Sequence, residues 1–499
     1  MNDFSSTNIV DCLRHFSETL PGYPAMEDGG RVIRYRELDL RTDDAAVNIS
    51  AAGILAGDIV TIILRDSIEH LIVICGLARA GAVIFSLNPA LTKKEIAESM
   101  AEIGSRILVT DNGSFAISGI NTISKKDICA ANGRSFGNPG ACGDQPFVLI
   151  QSSGTTGRPK SFILSHTDSM RQCQKALYSQ KIIQSDRFVS SPKMCFHFSR
   201  SFFLQMLNTG ATIVLAHDLS PRDFCEFINN EKISYLKLIA SQVVGFLDYA
   251  KEDEVLFPNL RMLSSHSAPL APEARRLARK RLNSNFFDGY GSNEMGTVTF
   301  SSPQDQDLYP DSVGRPRDDV EAQIVDAGDH PLPCGEVGQA RFRSASMVRS
   351  YLDNPEMNAR HFRDGWFYPG DVAKINDDGY LFLLGRADDV INNSGIKFYP
   401  VEVENVLLSH PDVAEAAVFP WPHKLAGRVA GAAVVAEGNV TYKQLKDYCA
   451  ERLAPYKVPY VIGFTKTLPR NAMGKVLKRK LAAKLRTQMQ AQPAGPDNH

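Results

Sequence analysis

The chain has 499 residues, which at roughly 150 residues per domain predicts two to four folding units. Apolar residues make up 43% and charged residues 22%, a composition typical of globular proteins and not of disordered or fibrous ones. The 55 lysines and arginines are balanced by 56 acids, so the formal charge is −1. This balance argues against a protein whose main partner is nucleic acid or an anionic membrane.

The nine cysteines are dispersed singly, and no two stand in CxxC spacing, so a zinc site is not expected. Dispersed thiols in a chain of this size are typical of a reducing compartment. The first residues are polar and acidic and do not form a signal peptide. The most apolar stretch, 71–85, contains Arg79 and is too short to span a bilayer. We therefore expect a cytoplasmic protein without a membrane or nucleic-acid partner.

Helical and strand-like segments alternate in the first part of the chain. A helical pattern over 35–52 is followed by a run of β-branched residues at 59–64, typical of a strand buried on both faces. A second helical pattern covers 67–80, and strands are predicted at 82–85 and 107–110. Alternation of this kind predicts an α/β fold of parallel βαβ units.

The same alternation is predicted from 147 to about 385, where the polar residues Arg386-Ala-Asp-Asp interrupt it. A smaller unit follows, with predicted helices at 400–409 and 442–454 and a basic helical end at 475–485. We predict a large N-terminal domain of βαβ subdomains and a small, mobile α+β C-terminal domain. The predicted bounds are 1–385 for the large domain, 386–389 for a hinge, 390–486 for the small domain and 487–499 for a disordered tail.

The strongest local signal is the run Ser-Ser-Gly-Thr-Thr-Gly-Arg-Pro-Lys at 152–160, directly after an apolar strand at 147–150. Its glycines allow several backbone N–H groups to point at one spot, and its hydroxyls and lysine add further donors for an anion. The spacing is not that of a Walker P-loop, in which four residues separate the glycines. On this stretch alone, a phosphate-binding loop and a flexible turn are both open.

Four further turns carry aromatic or charged side chains. The segment 288–296 places an aromatic ring between glycines, where it can lie against a base, and a carboxylate that can hold Mg²⁺ beside phosphates. The segments 365–371 and 385–395 place carboxylates and a guanidinium where sugar hydroxyls could be bound, and 468–475 ends in a lysine. Each turn alone is equally compatible with an ordinary protein surface.

Together and in this order, the five motifs resemble those of the adenylate-forming superfamily, which includes acyl- and aryl-CoA synthetases, peptide-synthetase adenylation domains and firefly luciferase. The resemblance covers about 35–480. It implies that a carboxylic acid reacts with ATP and Mg²⁺ to give an acyl-adenylate and pyrophosphate, and that the acyl group then passes to the thiol of coenzyme A. The alternative is a stand-alone enzyme that loads the phosphopantetheine arm of a separate acyl carrier protein. No sequence feature favours a luciferase-like oxygenase.

The resemblance also implies a role for each matching residue. The phosphate-binding loop would contain Ser152, Ser153, Gly154, Thr155, Thr156, Gly157 and Lys160. Other nucleotide-binding positions would be Ala268, Pro269, Asp288, Tyr290, Asn293, Asp371 and Arg386. The catalytic residues would be Lys475, His197 and Glu294, with Glu294 as the Mg²⁺ ligand, and the substrate pocket would contain His197, Arg200, His266 and Gly291. Asp388 would be the hinge, and Gly395 would belong to the loop that serves the thiol step.

Three positions depart from the family's pattern: Asn293 replaces a common threonine, Pro369 a usual threonine or serine, and His266 a usual glycine or alanine. The stretch 196–203 lacks the aspartate with which amino-acid-activating relatives bind the substrate ammonium. An unpaired ammonium there would cost several kcal/mol, so we do not expect an amino acid. Because His266 should also shorten or polarise the pocket, we expect a compact aryl or short acyl acid and not a long fatty acid. Arg200 is expected to be solvated or to pair with a second anionic group of that acid.

Overall fold

The computed structural model describes residues 7–491 except 112–114, 116, 138–141, 153–159, 267, 394–395, 424–426 and 472–473. The strands are β1 (Pro24–Asp28), β2 (Arg31–Arg34), β3 (Ile59–Ile63), β4 (Val83–Ser86), β5 (Ile107–Thr110), β6 (Asn121–Ser124), β7 (Pro146–Ser152), β8 (Lys160–Ser165), β9 (Arg187–Ser190), β10 (Thr212–Leu215), β11 (Tyr235–Ile239), β12 (Met262–His266), β13 (Phe286–Ser292), β14 (Gly296–Ser301), β15 (Glu321–Val325), β16 (Gly338–Arg343), β17 (Phe362–Arg363), β18 (Trp366–Phe367), β19 (Asp371–Ile375), β20 (Leu381–Arg386), β21 (Ile391–Asn393), β22 (Ile396–Phe398), β23 (Val413–His423), β24 (Gly427–Ala436) and β25 (Val461–Phe464). The α-helices are α1 (Cys12–Thr19), α2 (Tyr35–Ala51), α3 (Ile68–Ala80), α4 (Lys93–Ile103), α5 (Lys125–Ile128), α6 (His166–Gln180), α7 (His197–Leu207), α8 (Pro221–Asn230), α9 (Ala240–Tyr249), α10 (Pro272–Arg281), α11 (Pro303–Leu308), α12 (Pro355–His361), α13 (Pro400–Leu408), α14 (Tyr442–Ala450) and α15 (Lys478–Ala491). Short 3₁₀ turns cover Ala387–Asp389 and Pro455–Lys457.

Two largely parallel sheets form most of the large domain. Their strand orders are β14-β13-β12-β11-β9-β10-β1-β2 and β6-β5-β3-β4-β7-β8. Neighbouring strands are parallel except where β2, β8 and β14 add antiparallel edges. Parallel neighbours require crossover connections, and helices provide them here. The predicted α/β fold of βαβ subdomains is confirmed.

Helix α3 shows how the sequence sets local structure in this domain. It begins at Ser67, whose side chain accepts a hydrogen bond from the backbone N–H of His70, and ends at Gly81, which has a φ of 82°. Within the helix, Gly76 lies against α2, because a Cβ at this position would be 2.6 Å from the Cβ of Ala45. The missing side chain therefore allows the two helix backbones to approach closely.

A third sheet, of order β17-β18-β16-β19-β20 with β15 beside β16, is antiparallel throughout its described pairs. The helix–strand alternation predicted as far as residue 385 is therefore wrong from β15 onward. The connections from β17 to β18 and from β19 to β20 are too short for crossovers: β19 and β20 are joined by a turn in which Gly379 donates to the carbonyl of Asn376 and has a φ of 79°. A turn of this length can join only antiparallel strands.

The small C-terminal domain is built on a sheet of order β22-β21-β24-β23 with β25 beside β24. Alternate residues of β23 point to opposite faces, so that Val418 packs with α13 and Trp421 packs with Leu481 and Leu485 of α15. The combination of a large and a small domain is confirmed. Their exact bounds stay a prediction, although β20 and β21 lie in different sheets on either side of Ala387–Asp389.

The end of the chain differs from its prediction. Helix α15 begins at Lys478 and continues to Ala491, so the predicted basic helix starts later than expected and extends into the segment predicted as a disordered tail. The rest of that segment lies outside the described residues. In the part of the chain that the structure describes, no helix is both long and apolar enough to cross a membrane.

Two helical glycines provide a test of the packing between α2 and α3. Replacing Gly76 with alanine forces a methyl group against Ala45 and should destabilise the protein by about 1–3 kcal/mol. Gly245 lies in α9 with nothing within 4 Å of a Cβ, so Gly245→Ala should be neutral or stabilising by up to about 1 kcal/mol. Thermal midpoints should shift downward for the first variant only. Equal shifts for both variants would contradict the close approach.

Candidate active site

A cleft with a volume of about 320 Å³ lies beside the start of α7, the ends of β12 and β13 and the loop before α15. Its walls contain residues predicted for catalysis, for nucleotide binding and for the substrate pocket. They include His197, Gly291, His266, Asn293, Glu294 and Lys475. The fold therefore brings together side chains from both domains that lie far apart in the sequence.

One side of the cleft is shaped by His266, the last residue of β12. A Cβ on Gly289 of the neighbouring strand would overlap the imidazole ring, so a glycine is required for the ring to lie there. The ring centroid is 5.2 Å from that of Phe198 and 5.7 Å from that of Phe300. Burial, aided by the charge of Lys237, lowers the pKa of His266 well below its ordinary value. This wall of the cleft is therefore neutral and largely aromatic.

Of the two predicted pocket residues in the first turn of α7, one lines the cleft and the other does not. His197 lines the cleft, and burial together with the nearby Arg200 lowers its pKa to about 3, so the ring is neutral. Arg200 is buried instead of solvated, and its Nη1 donates to the Oγ of Ser86 over 2.6 Å and to the carbonyl of Cys195 over 3.5 Å. It does not line the cleft. The expectation of a solvated arginine is wrong.

Glu294 and Lys160 each have a partner that the sequence motifs did not indicate. The carboxylate of Glu294 accepts a hydrogen bond from the Tyr351 hydroxyl at 2.7 Å. The Nζ of Lys160 lies 3.0 Å from Nε2 of His361, whose Nδ1 lies 2.6 Å from the carbonyl oxygen of Tyr368. Because Nδ1 must donate to that oxygen, Nε2 is free to accept from the Lys160 ammonium. Tyr351 and His361 fall in no motif, so no sequence signal identified them.

The setting of Glu294 fits a magnesium ion that is shared with phosphates. Its side chain lines the cleft, and the Tyr351 hydroxyl engages Oε1. Among the described residues, no group of three or more histidine, cysteine or acidic side chains is arranged to hold a metal ion. Mg²⁺ commonly binds through one or two carboxylates together with waters and substrate phosphates, and a single glutamate suits that mode.

A second group of predicted residues forms a hydrogen-bonded cluster around Asp371. Its Oδ2 accepts from the hydroxyl of Tyr290 at 2.5 Å and its Oδ1 from Nη1 of Arg386 at 2.8 Å. Asp371 and Arg386 are paired across β19 and β20, which fixes their separation. Tyr290 and Asp288 lie on one face of β13, whereas Gly289 and Gly291 alternate toward the cleft. One strand thus contributes to both groups.

Lys475 extends into the cleft from the small domain. It follows Gly474, which has a φ of 78° and packs so closely on the large domain that a Cβ would lie 2.6 Å from Oγ of Ser241. The backbone N–H of Lys475 donates to Oδ1 of Asn471 at 3.0 Å. Partial desolvation between the cleft walls and the charge of Arg386 lower the pKa of Lys475. The two domains are therefore docked so that this lysine shares a cleft with Glu294.

The remaining predicted residues either lie elsewhere in the fold or fall outside the described residues. Ala268 is half-buried and Pro269 exposed just after β12, and Asp388 in the 3₁₀ turn accepts from Nη2 of Arg360 at 2.7 Å. Ser152 ends β7, and Gly395 lies outside the described residues. Also outside them are Ser153, Gly154, Thr155, Thr156 and Gly157.

The α/β fold and a cleft closed by a lysine from a small C-terminal domain define an adenylate-forming enzyme. The sequence model of the AMP-binding enzyme family matches residues 13–352, and that of the AMP-binding enzyme C-terminal domain matches residues 402–475. The chain belongs to this family, and the class predicted from the five motifs is confirmed.

Individual proteins are similar to this chain over nearly its whole length. Oxalate–CoA ligase of Arabidopsis thaliana is 28% identical over 96% of this chain and 98% of its own length. Fatty acid–[acyl-carrier-protein] ligase ScoC of Streptomyces coeruleorubidus is 27% identical over 95% of both chains. The crystal structure of ATP-bound MatB from Rhodopseudomonas palustris superposes with a TM-score of 0.89 at 25% identity and covers 96% of this chain and 99% of its own.

The buried carboxyl group of Asp288 predicts a pH-dependent stability. Burial raises its pKa to about 7, against the opposing effects of Arg275 and a backbone N–H, and its Oδ1 has no hydrogen-bond partner among the described residues. In the unfolded chain the pKa is about 3.9, so the folded state binds the proton more tightly. The group therefore destabilises the fold increasingly from about pH 4 to pH 7 and constantly above that.

Asp288→Asn should remove this dependence. Relative to the wild type, the variant should gain stability as the pH rises from about 4 to 7, up to about 4 kcal/mol for three pKa units, with no further gain above pH 7. Thermal midpoints of both proteins across pH 4–9 measure this difference. Asp253→Asn, at an exposed carboxylate, should show no such trend. A constant difference for Asp288→Asn would mean that the carboxyl titrates normally.

Proposed function

We propose that this protein activates a carboxylic acid with ATP, giving an acyl-adenylate and pyrophosphate, and then transfers the acyl group to the thiol of coenzyme A with release of AMP. The observation that carries this proposal is the shared cleft, in which Lys475 of the small domain and Glu294 of the large domain face the same space. Acid–thiol ligation with formation of AMP is the activity that the family and its CoA-ligase members support.

In the first step a carboxylate oxygen attacks the α-phosphorus of ATP. A bond forms between these two atoms, and the bond between the α-phosphorus and the pyrophosphate oxygen breaks. Because both reactants are anions, positive charge must be held where negative charge accumulates. The ammonium of Lys475 would supply one such charge. Glu294 would hold Mg²⁺, which when bound neutralises phosphate charge.

The nucleotide would bind on the side of β13 that carries Tyr290. The carboxylate of Asp371 would accept hydrogen bonds from the ribose hydroxyls, while the hydrogen bond from Arg386 orients that carboxylate. The hydrogen bond from the Tyr290 hydroxyl to Asp371 fixes the phenol ring, which would lie against the adenine. Lys160, oriented by His361, would contact the phosphates.

The acid would bind on the other side of the same strand, against His197, His266 and Gly291. Both histidines are neutral because they are buried, so this region favours a compact aryl or short acyl chain over an ammonium group. The His266 ring fills part of this side of the cleft, so less length is left for a long fatty acyl chain.

The second step requires that Lys475 leave the cleft. We place the hinge at Asp388, in the 3₁₀ turn between two sheets, and its rotation would bring the loop containing Gly395 to the thiol. Coenzyme A is the proposed thiol. The phosphopantetheine arm of a separate acyl carrier protein is the alternative, since a carrier-protein ligase is among the relatives. Both acceptors agree with a cytoplasmic location.

Pyrophosphate release across an acid library, followed by mass spectrometry of the products, tests the proposal. Compact aryl or short acyl acids should release pyrophosphate, and added coenzyme A should yield the thioester. Turnover of standard amino acids or palmitate would contradict the proposed acid class. Acylation of a carrier protein without acylation of coenzyme A would establish the alternative acceptor.

The proposed role of Lys475 predicts that its removal affects only one half-reaction. Lys475→Ala should slow acyl-adenylate formation by about 10²–10³-fold, the effect of losing one preorganised electrostatic donor. Thioester formation from synthetic adenylate should be nearly unchanged. Lys480→Ala, an exposed lysine on α15, serves as the control and should affect neither step. Equal slowing of both half-reactions by Lys475→Ala would contradict this division of roles.

A further inference from the structure

Lys237 occupies an unusual position in the middle of β11. Its side chain is fully buried, and its Nζ has no hydrogen-bond partner among the described residues. Lysine is almost never fully buried unless its ammonium is paired. This residue lies in none of the sequence motifs and has no part in the mechanism described above.

The ammonium lies directly beneath the acid-binding side of the cleft. Its Nζ is 2.5 Å from the ring centroid of Phe202 and 4.4 Å from that of Phe198, and both rings line the cleft. In the register of the parallel strands β11 and β12, Lys237 is opposite Ser264 and Ile239 is opposite His266. Lys237 and His266 therefore project from the same face of the sheet, with Lys237 one layer deeper.

The surroundings do not compensate an ammonium group. Aromatic faces attract a cation, but they offer no lone pair that could replace the lost water. Burial accordingly lowers the pKa of Lys237 well below its ordinary value. A methionine would fill the same space without this cost, whereas an anion entering from the cleft would favour uptake of a proton by the buried amine, and the resulting ammonium would form an ion pair with that anion.

Of the other cations near the cleft, Lys475 is assigned to the α-phosphate in the proposed function, and two arginines have partners within the protein. Arg200 points away toward Ser86 and the Cys195 carbonyl. Arg317 forms an ion pair with Asp319, with 3.1 Å between Nη2 and Oδ1. On the acid-binding side, Lys237 is thus the cationic group that the described structure leaves for a ligand.

We propose that Lys237 binds a second carboxylate of the substrate, at the end opposite to the reacting carboxylate, so that the preferred substrates are dicarboxylic acids. This inference rests on the proposed function, because it names the acid that the same cleft activates. Phe202 both covers Nζ and lines the cleft, so its ring must turn aside for the carboxylate to reach the ammonium. Lys237 would then be a specificity-determining residue that touches the substrate.

The test compares acids in matched pairs that differ only at the far end: malonate with malonamate, succinate with succinamate, and terephthalate with terephthalamate. With the full-length wild type, the best dicarboxylate should exceed its monoamide in kcat/KM for pyrophosphate release by at least about 30-fold, as expected for a buried charge pair. The difference should appear mainly in KM, because the second carboxylate is remote from the reacting atoms.

Replacement of the lysine should abolish this preference selectively. Lys237→Met should lower kcat/KM for the dicarboxylate by at least about 30-fold, to the level of the monoamide, and change that for the monoamide by less than about threefold. The ATP KM should be unchanged. Lys251→Met, at an exposed lysine, is the control and should retain the wild-type preference. Lys237→Gln, with a neutral amide of similar size, replaces the methionine variant if that protein does not fold.

Several results would overturn the inference. Equal activity of the wild type with both members of every pair would do so without any variant. Retention of the preference by Lys237→Met, or an equal loss for both members of a pair, would show that the lysine is structural. Failure of every acid to release pyrophosphate would instead contradict the proposed function itself, which distinguishes the two failures.

Discussion

The reaction joins two anions, and this electrostatic constraint governs how the site is built. A carboxylate can approach the α-phosphate only where positive charge is concentrated. Cations that were held close together permanently would, however, repel one another. The structure divides the charges between domains: Lys160 and Arg386 belong to the large domain and are held by His361 and Asp371, whereas Lys475 arrives with the small domain. In the proposed mechanism, docking at Gly474 would therefore complete the charge balance, so that the site would be assembled only when the domains meet.

In the proposed arrangement, strand β13 would separate the two substrates because successive side chains of a strand point in opposite directions. Tyr290 faces Asp371, while Gly289 and Gly291 leave room on the opposite face for His266 and the acid. The acid-binding side contains neutral histidines above the uncompensated amine of Lys237. Under the proposed function, polar groups fixed within the protein would recognise the nucleotide. The acid would be recognised by a pocket in which its far end supplies the charge opposite to that of Lys237.

The sequence was sufficient to predict the parallel sheets, because buried β-branched strands such as Ile59–Ile63 alternate with helices whose caps are visible in the sequence. It also named several of the residues that line the cleft, among them Glu294 and Lys475, because these residues lie in motifs that occur in the family's order. The antiparallel sheet was missed because short strands joined by turns resemble the edges of βαβ units. Local sequence patterns did not identify Tyr351, His361 and Lys237. Their importance depends on contacts with residues far away in the sequence, and local patterns do not show such contacts.

In the proposed mechanism, one docked arrangement of the two domains serves adenylation and must be released for thioester formation. A disulfide between Ser241→Cys and Gly474→Cys would lock that arrangement, since a Cβ at 474 lies 3.4 Å from the Cβ of Ser241, close to the spacing of about 3.5–4.5 Å found in disulfides. The φ of 78° at position 474 strains a cysteine there, so the reduced form of the same variant is the reference for both half-reactions. Cys334→Ser in the same protein removes the exposed native thiol. The oxidised variant should still convert acid and ATP to bound acyl-adenylate in a single turnover but fail to form the thioester until a reductant opens the disulfide. Thioester formation by the oxidised enzyme at the rate of the reduced enzyme would contradict the account.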